Sequence, residues 1–290
     1  MNRVLLAGAT GYLGGFILKE LLQQGFEVKA LVRNLKKIVL NNQASLKLCE
    51  VEVTNPESIV GCCDDVEVVI STIGITKQKD GLSYMDVDFQ ANLNLLQEAQ
   101  RAGVSQFIYV SALNAEKLQH LSICKAKELF VEKLKASGLR FCIIRPNGFF
   151  SDMTEFLTMA QKGRVYLFAK GQFKTNPIHG ADLAKVCVGA IESQDQEIEV
   201  GGPEIFTHEQ IARIAFTSVK KTPKIIYIPE WLRVIVIRLL QSLTKPTFHG
   251  PVEFFMTVMA MDMVAPKYGN KTLKAFFDEL NLEEKGKVTH

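Results

Sequence analysis

The stretch LAGATGYLGG, Leu6–Gly15, follows the hydrophobic run RVLL and sets Gly8, Gly11 and Gly14 at the spacing G-x-x-G-x-x-G. A turn that leaves a strand tightly, lets backbone N–H groups approach a pyrophosphate and packs a helix close to that strand has no room for a Cβ. A glycine triplet alone is a weak sign. Here it follows a strand-like segment, and Tyr12 to Gln24 reads as a helix ended by Gly25, which is the context the motif requires. The competing reading is a glycine-bearing turn with no ligand. The dinucleotide reading names Gly8, Thr10, Gly11, Tyr12, Leu13 and Gly14 as the expected contacts of the first loop.

Outward from this loop, FEVKALVR, LKLCEVEV, VEVVISTIG, QFIYVSA and RFCIIRP read as strands. Met85 to Arg101, closed by Gly103, and Leu121 to Ala136, closed by Gly138, read as helices. Such alternation builds a parallel sheet with right-handed crossovers and helices on both faces. After Pro146 the rhythm breaks into Gly-, Pro- and Asn-rich loops, with helices expected at Asp182–Ser193 and His208–Val219 and a returning strand at IEVGG. The expected fold is α/β: a Rossmann-like doubly wound parallel sheet with a small discontinuous C-terminal substrate lobe. Residues 1–150 form the dinucleotide-binding core, continued by parts of 176–202, and 151–290 the lobe.

A chain of 290 residues, 47% hydrophobic and 22% charged, has ample material for a core. Its net charge of +3, with no long basic run, gives no reason to expect nucleic acid as a partner. The six cysteines form no C-x-x-C pair and have no histidines at zinc spacing, so no metal site is expected. Buried free thiols, and a start on a strand rather than a secretory leader, fit a cytoplasmic location. Trp231 to Leu243, WLRVIVIRLLQSL, is too short to span a bilayer but suits a peripheral membrane contact or a subunit contact. Oligomeric state is not readable.

The end of the second strand bears on cofactor choice. An acid there would bind the ribose diol of NAD(H); the strand ends LVRN instead. The Arg33 guanidinium suits a 2′-phosphate, and Lys36 and Lys37 add positive potential, which favours NADP(H) over NAD(H).

GATGYLGG, LVRN, VEVTNPES, ISTIG, NLNLLQEAQRAGVSQFIYVSA, KASGLRFCIIRP and NPIHGADLA, in that order, resemble the atypical branch of the short-chain dehydrogenase/reductase superfamily. More narrowly they are similar to its NmrA-like and divinyl-chlorophyllide-reductase-like members. The resemblance runs from Met1 to about Gly202, and the tail MAMDMVAPKYGNKTL is similar to that of the reductase-like members. It implies bound NADP(H) and a small-molecule substrate. It also implies Glu52 and Val53 near the adenine, Ser71, Thr72 and Gly74 along the dinucleotide, and Pro146 and Phe149 bordering the nicotinamide.

Catalytic members of that superfamily use a Ser and a Y-x-x-x-K pair to handle the substrate proton. Ser111 in YVSA matches the serine. The helix HLSICKAKELFVEKLKASG offers Lys125 and Lys127, but Leu121 and Ile123 stand where the tyrosine should be. At about 100° per residue, Ile123, Ala126, Lys127, Phe130, Val131 and Leu134 share an apolar stripe. Ser122, Lys125, Glu128 and Glu132 form the polar face, where Lys125 is expected to pair with Glu128 or Glu132. Lys127 is therefore the residue expected to work with Ser111.

Two readings follow. One is an oxidoreductase on an unknown, largely apolar small molecule, with another proton donor such as Tyr84, His120, His179 or Cys124, or water. The other is a redox sensor or assembly factor that binds NADP(H) without turning it over. A nucleotide-sugar epimerase fits less well without the tyrosine. His179 and Asp182 also suit a structural role at a helix start.

Overall fold

The computed structural model describes residues 3–35, 44–75, 81–244 and 246–288. Lys36 and Lys37 lie outside the described residues. The chain divides into two units, Met1–Arg145 with Leu183–Ile198, and Pro146–Asp182 with Glu199–His290.

The first unit is built on a seven-stranded sheet in the order β3-β2-β1-β4-β5-β6-β9. β1, Arg3–Ala7, pairs in parallel with β2, Glu27–Val32, on one side and with β4, Val68–Ser71, on the other. β3, Leu46–Glu50, extends the β2 side, and β5, Gln106–Val110, and β6, Arg140–Pro146, extend the β4 side, all in parallel. β9, Glu197–Val200, lies beyond β6, where Ile143 N donates to Gln196 O at 2.9 Å. β4 and β5 are buried at every residue, the pattern of strands covered on both faces.

Helices supply the cover. α1, Tyr12–Gln23, ends at Gly25, whose φ of 81° closes the turn. A π-helical stretch, Met85–Ala91, runs directly into α2, Asn92–Arg101. α3, Ser122–Lys135, packs Phe130 against Tyr109 with ring centroids 4.6 Å apart. One core cluster joins α2 and α3 to the sheet through Leu5, Val69, Phe107, Leu95 and Leu134, each fully buried. A core of this kind supplies most of the unit's driving force to fold.

The second unit has its own core, with Phe150, Phe156, Val165, Leu167, Ile211 and Phe216 fully buried or nearly so. Its elements include α4, Thr154–Gln161, β7, Val165–Phe168, and β8, Lys174–Thr175. α5, Gly180–Gly189, leads back towards β9 and ends earlier than expected: residues 190–193 tighten into turns on the carbonyls of Val186, Val188 and Gly189. β10, Phe206–Thr207, pairs with β8, and β11, Ile225–Ile228, with β7. α6, His208–Ser218, starts with a capping box between Thr207 and Gln210. Three helices follow: α7, Glu230–Leu243, α8, Pro246–Val258, and α9, Leu273–Val288.

Candidate functional site

Strand order reverses between β1 and β4, because β2 and β3 lie to one side and β5 and β6 to the other. In open α/β sheets the crevice beyond the carboxyl ends of such a pair is where ligands bind. The loops leaving these two strands meet. Thr72 donates from N (3.0 Å) and from Oγ1 (3.1 Å) to the carbonyl of Ala7. Gly8 has a φ of 88°, and a Cβ there would stand 2.4 Å from Thr72 Oγ1. At Gly14 a Cβ would come within 2.0 Å of Gly8 O, so helix and strand could not approach as they do.

Gly11 N donates to Gly8 O at 2.9 Å and caps α1 with no side-chain acceptor. A glycine at this position supplies no side-chain acceptor of its own and leaves room beside the helix start, an arrangement that fits a phosphate group. Thr10, Gly11 and Tyr12 are exposed, whereas Leu13 and Gly14 are buried. Arg33 is exposed just past β2 and makes no ion pair among the described residues. Glu52 turns its carboxylate into its own loop, accepting from Thr54 N (3.3 Å) and Thr54 Oγ1 (2.9 Å). The carbonyl of Val53 accepts from Asn94 Nδ2 at 3.1 Å.

Past β4 the same loop reaches a buried polar cluster. Ser71 Oγ donates to Asn92 Oδ1 at 2.6 Å. Asn92 Nδ2 in turn donates to the carbonyls of Ile73, Val87 and Asp88, which ties the π-helical turn to the loop. Asp88 Oδ2 accepts from Ile75 N at 3.2 Å, and its Oδ1 lies 3.0 Å from Lys127 Nζ. A Cβ on Gly74 would stand 2.7 Å from Asp88 Oδ1 and 3.0 Å from Lys127 Nζ, so the ion pair sits directly against this glycine. Lys127 Nζ also lies 5.5 Å from the centre of the Tyr109 ring.

Burial opposes the charge of Lys127, but Tyr109 and Asp88 more than offset it and hold the ammonium above its ordinary range. For Asp88 burial dominates and raises the carboxyl, with Lys127 acting against it. Burial pushes the Tyr109 phenol up to about 12.

Ser111 belongs to a different cluster. Its Oγ donates to Glu128 Oε1 at 3.2 Å and accepts from Arg145 Nη1 at 3.3 Å. Arg145 grips Glu128 with two bonds, of 2.6 and 2.9 Å, and also pairs with Glu197. Glu128 is thus buried and held by Arg145, which corrects its expected place on the solvated face beside Lys125. Lys125 is exposed. Leu121 and Ile123 are both buried and neither carries an ionisable group.

The other candidate donors are placed as follows. Burial pushes the Cys124 thiol up to about 12, which keeps it protonated at neutral pH. Tyr84 is buried and His120 is exposed.

In the second unit, Phe149 forms an isolated bridge with Ile178, and its N donates to Asp152 Oδ2 at 2.9 Å. Pro146, the last residue of β6, is buried. His179 Nδ1 accepts from Ala181 N at 3.1 Å; Asp182 Oδ2 accepts from Asn270 N (3.0 Å) and Lys271 N (2.9 Å). Both side chains serve the start of α5 and the tail, the structural role.

Sequence reasoning missed Asp88 and Asn92. Their signal was a carboxylate and an amide four residues apart on the same helical stripe as Leu95, Leu96 and Ala99. A polar group on a buried stripe requires a partner.

The reversal of strand order, the glycine loop against Thr72 and the helix start behind Gly11 define a nucleotide-binding protein of the Rossmann type. The chain belongs to the NAD(P)H-binding family, whose pattern matches residues 8–194. It is 26% identical to a divinyl chlorophyllide a 8-vinyl-reductase of Cucumis sativus, over 96% of this chain and 76% of that protein. It is 32% identical to the photosystem II assembly factor Ycf39 of Cyanophora paradoxa, over 52% of this chain and 46% of that one. Among solved structures, an NADPH-dependent quinone oxidoreductase of Escherichia coli, complexed with NADPH, shares the fold. Its TM-score is 0.69 at 18% identity, covering 96% of this chain and 99% of that chain. This kinship is that of an atypical short-chain dehydrogenase/reductase, as the motifs implied.

Proposed function

We propose that the chain is an NADP(H)-dependent oxidoreductase of the atypical, NmrA-like kind, acting on a largely apolar small molecule. The observation that carries this reading is the Lys127–Asp88 pair seated against Gly74, in the loop that also meets the glycine turn. In this reading the glycine loop and the start of α1 take the pyrophosphate and Arg33 the 2′-phosphate. Glu52 and Val53 border the adenine, Ser71, Thr72 and Gly74 follow the dinucleotide, and Pro146 and Phe149 border the nicotinamide. Bound reduced nicotinamide supplies a hydride. Lys127 holds the ribose hydroxyls, and Asp88 fixes the direction of its ammonium. Ser111 already donates its hydrogen to Glu128, so giving it to a substrate oxygen would break that bond. Water is then the proton source that needs no side chain at position 121 or 123. The free thiols suit a reducing compartment such as the cytoplasm, although the named reductase is chloroplastic.

A second reading, a non-catalytic NADP(H)-binding sensor or assembly factor, is favoured by the internal partners of both Lys127 and Ser111. The likeness to an assembly factor supports it too.

The deciding experiment follows NADPH absorbance with apolar quinones, enones and activated alkenes, beside direct NADPH titration. Lys127→Ala should weaken NADPH binding by about tenfold, equivalent to roughly 1.4 kcal/mol, while Lys125→Ala does little. Oxidation that Lys127→Ala slows supports the enzyme. Tight NADPH binding with no oxidation across the panel supports the sensor. Equal effects of the two lysine variants on binding would overturn the assignment of Lys127.

A further inference from the structure

The second unit carries a helical hairpin that its core does not absorb. No residue of α7 is buried. Trp231, Leu232, Ile235, Leu239 and Leu243 are all exposed, Trp231 by 63% and Leu243 by 78%. Trp231, Ile235, Leu239 and Leu243 recur every fourth residue and so share one side of the helix. On α8, Phe248 is 72% exposed, and Val252 and Phe255 are exposed as well. The hairpin thus holds eight of the eighteen large hydrophobic side chains exposed among the described residues. That concentration marks a surface built to be covered rather than a scatter of single apolar residues.

The charges on the hairpin indicate what covers it. Arg238 is exposed and lies on the same side of α7 as Ile235 and Leu239. The carboxylates nearby are engaged within the hairpin: Glu230 by Arg233, and Glu253 by Gln241 Nε2 at 2.8 Å. In sequence the segment 230–258 sets Arg233, Arg238 and Lys245 against Glu230 and Glu253. A second copy meeting this face across a two-fold axis would bring like charge towards Arg238, because the basic side chains of the segment outnumber its two carboxylates. An anionic headgroup supplies the missing acceptor, and acyl chains accept the leucines and the indole.

We propose that α7 and α8 form a lipid-docking face that lies in the interface of a bilayer bearing anionic headgroups. α7 has 14 residues and is roughly 21 Å long, against about 30 Å for a hydrocarbon core, so it lies on the membrane and does not cross it. No helix of the described residues is long and apolar enough to span. Trp231 and Phe248 enter the acyl boundary while Arg238 reaches back to the phosphates.

Trp231 is the single tryptophan of the chain and therefore its own reporter. The full chain is mixed with phosphatidylcholine vesicles, with and without one third phosphatidylglycerol. Expected are a blue shift of emission, quenching by brominated acyl chains and co-sedimentation, all stronger on the anionic vesicles. Leu239→Glu together with Leu243→Glu should weaken partitioning by at least about tenfold. Arg238→Gln should weaken it by about fivefold, on anionic vesicles alone. These side chains are exposed, and unchanged NADPH affinity and circular dichroism would verify that the variants fold. No emission shift with the chain left in the supernatant would overturn the proposal. So would wild-type partitioning of the double variant. A dimer that Leu239→Glu splits, with no vesicle binding, would overturn it in favour of a contact between copies.

Discussion

Lys127 keeps an ammonium where burial works against it, because the Tyr109 oxygen and the Asp88 carboxylate, 3.0 Å away, both favour the charge. A buried pair of this kind is costly to break from one side, since the remaining charge loses its counter-ion. Asp88→Ala should therefore destabilise the fold by on the order of 3 kcal/mol, read by urea denaturation. Adding Lys127→Met should recover a large part of that loss. If Asp88→Ala costs less than about 1 kcal/mol, the pair contributes no more than an exposed one, and Asp88 does not hold Lys127. At this scale the sequence was partly legible. Lys127 stood out because it interrupts a stripe of Ile123, Ala126, Phe130, Val131 and Leu134, all buried in the structure. Glu128 was misread because its partner, Arg145, comes from β6, and helical spacing carries no information about another strand.

Among the elements, α6 shows how a buried ionisable group couples a helix to pH. His208 is its first residue, 3% exposed, with its ring centroid 6.3 Å from that of Phe156. Burial pushes its imidazole down to about 4, and Asp262 opposes that shift only in part. The fold therefore holds His208 neutral, whereas the unfolded chain takes up a proton near the ordinary value of 6.5. Stability is retained above that value and is lost as pH falls from 6.5 towards 4, by on the order of 3 kcal/mol. Denaturant unfolding of the second unit across this interval should show that slope, and His208→Gln should flatten it. An unchanged slope in the variant would assign the pH dependence elsewhere. Elements differ in how readable they are. β1 to β6 were legible to within a few residues because apolar runs alternate with amphipathic helices. β7, β8, β10 and β11 were not, being two to four residues long, too short for any alternation to register. The π-helical opening of Met85–Ala91 was also hidden, since its wider turn follows from how Asn92 bonds the loop after β4.

For the whole molecule, the glycine loop, the end of β4 and the start of α1 all belong to the first unit, and their arrangement follows from a single reversal of strand order. Family membership rests on that unit and the first part of the second, residues 8–194, while the exposed hairpin lies beyond it. The parts of the chain that bind nucleotide and those that would meet a lipid surface are thus separable by mutation. Arg33 decides the cofactor in this reading, for it stands exposed past β2 where an acid would favour NAD(H). The direct measurement is calorimetric titration of the wild-type chain and of Arg33→Ala with NADPH and with NADH. NADPH should bind the wild-type chain at least about tenfold more tightly than NADH, roughly 1.4 kcal/mol, and Arg33→Ala should remove most of that difference. Equal affinities in the wild-type chain, or a preference that survives Arg33→Ala, would contradict it.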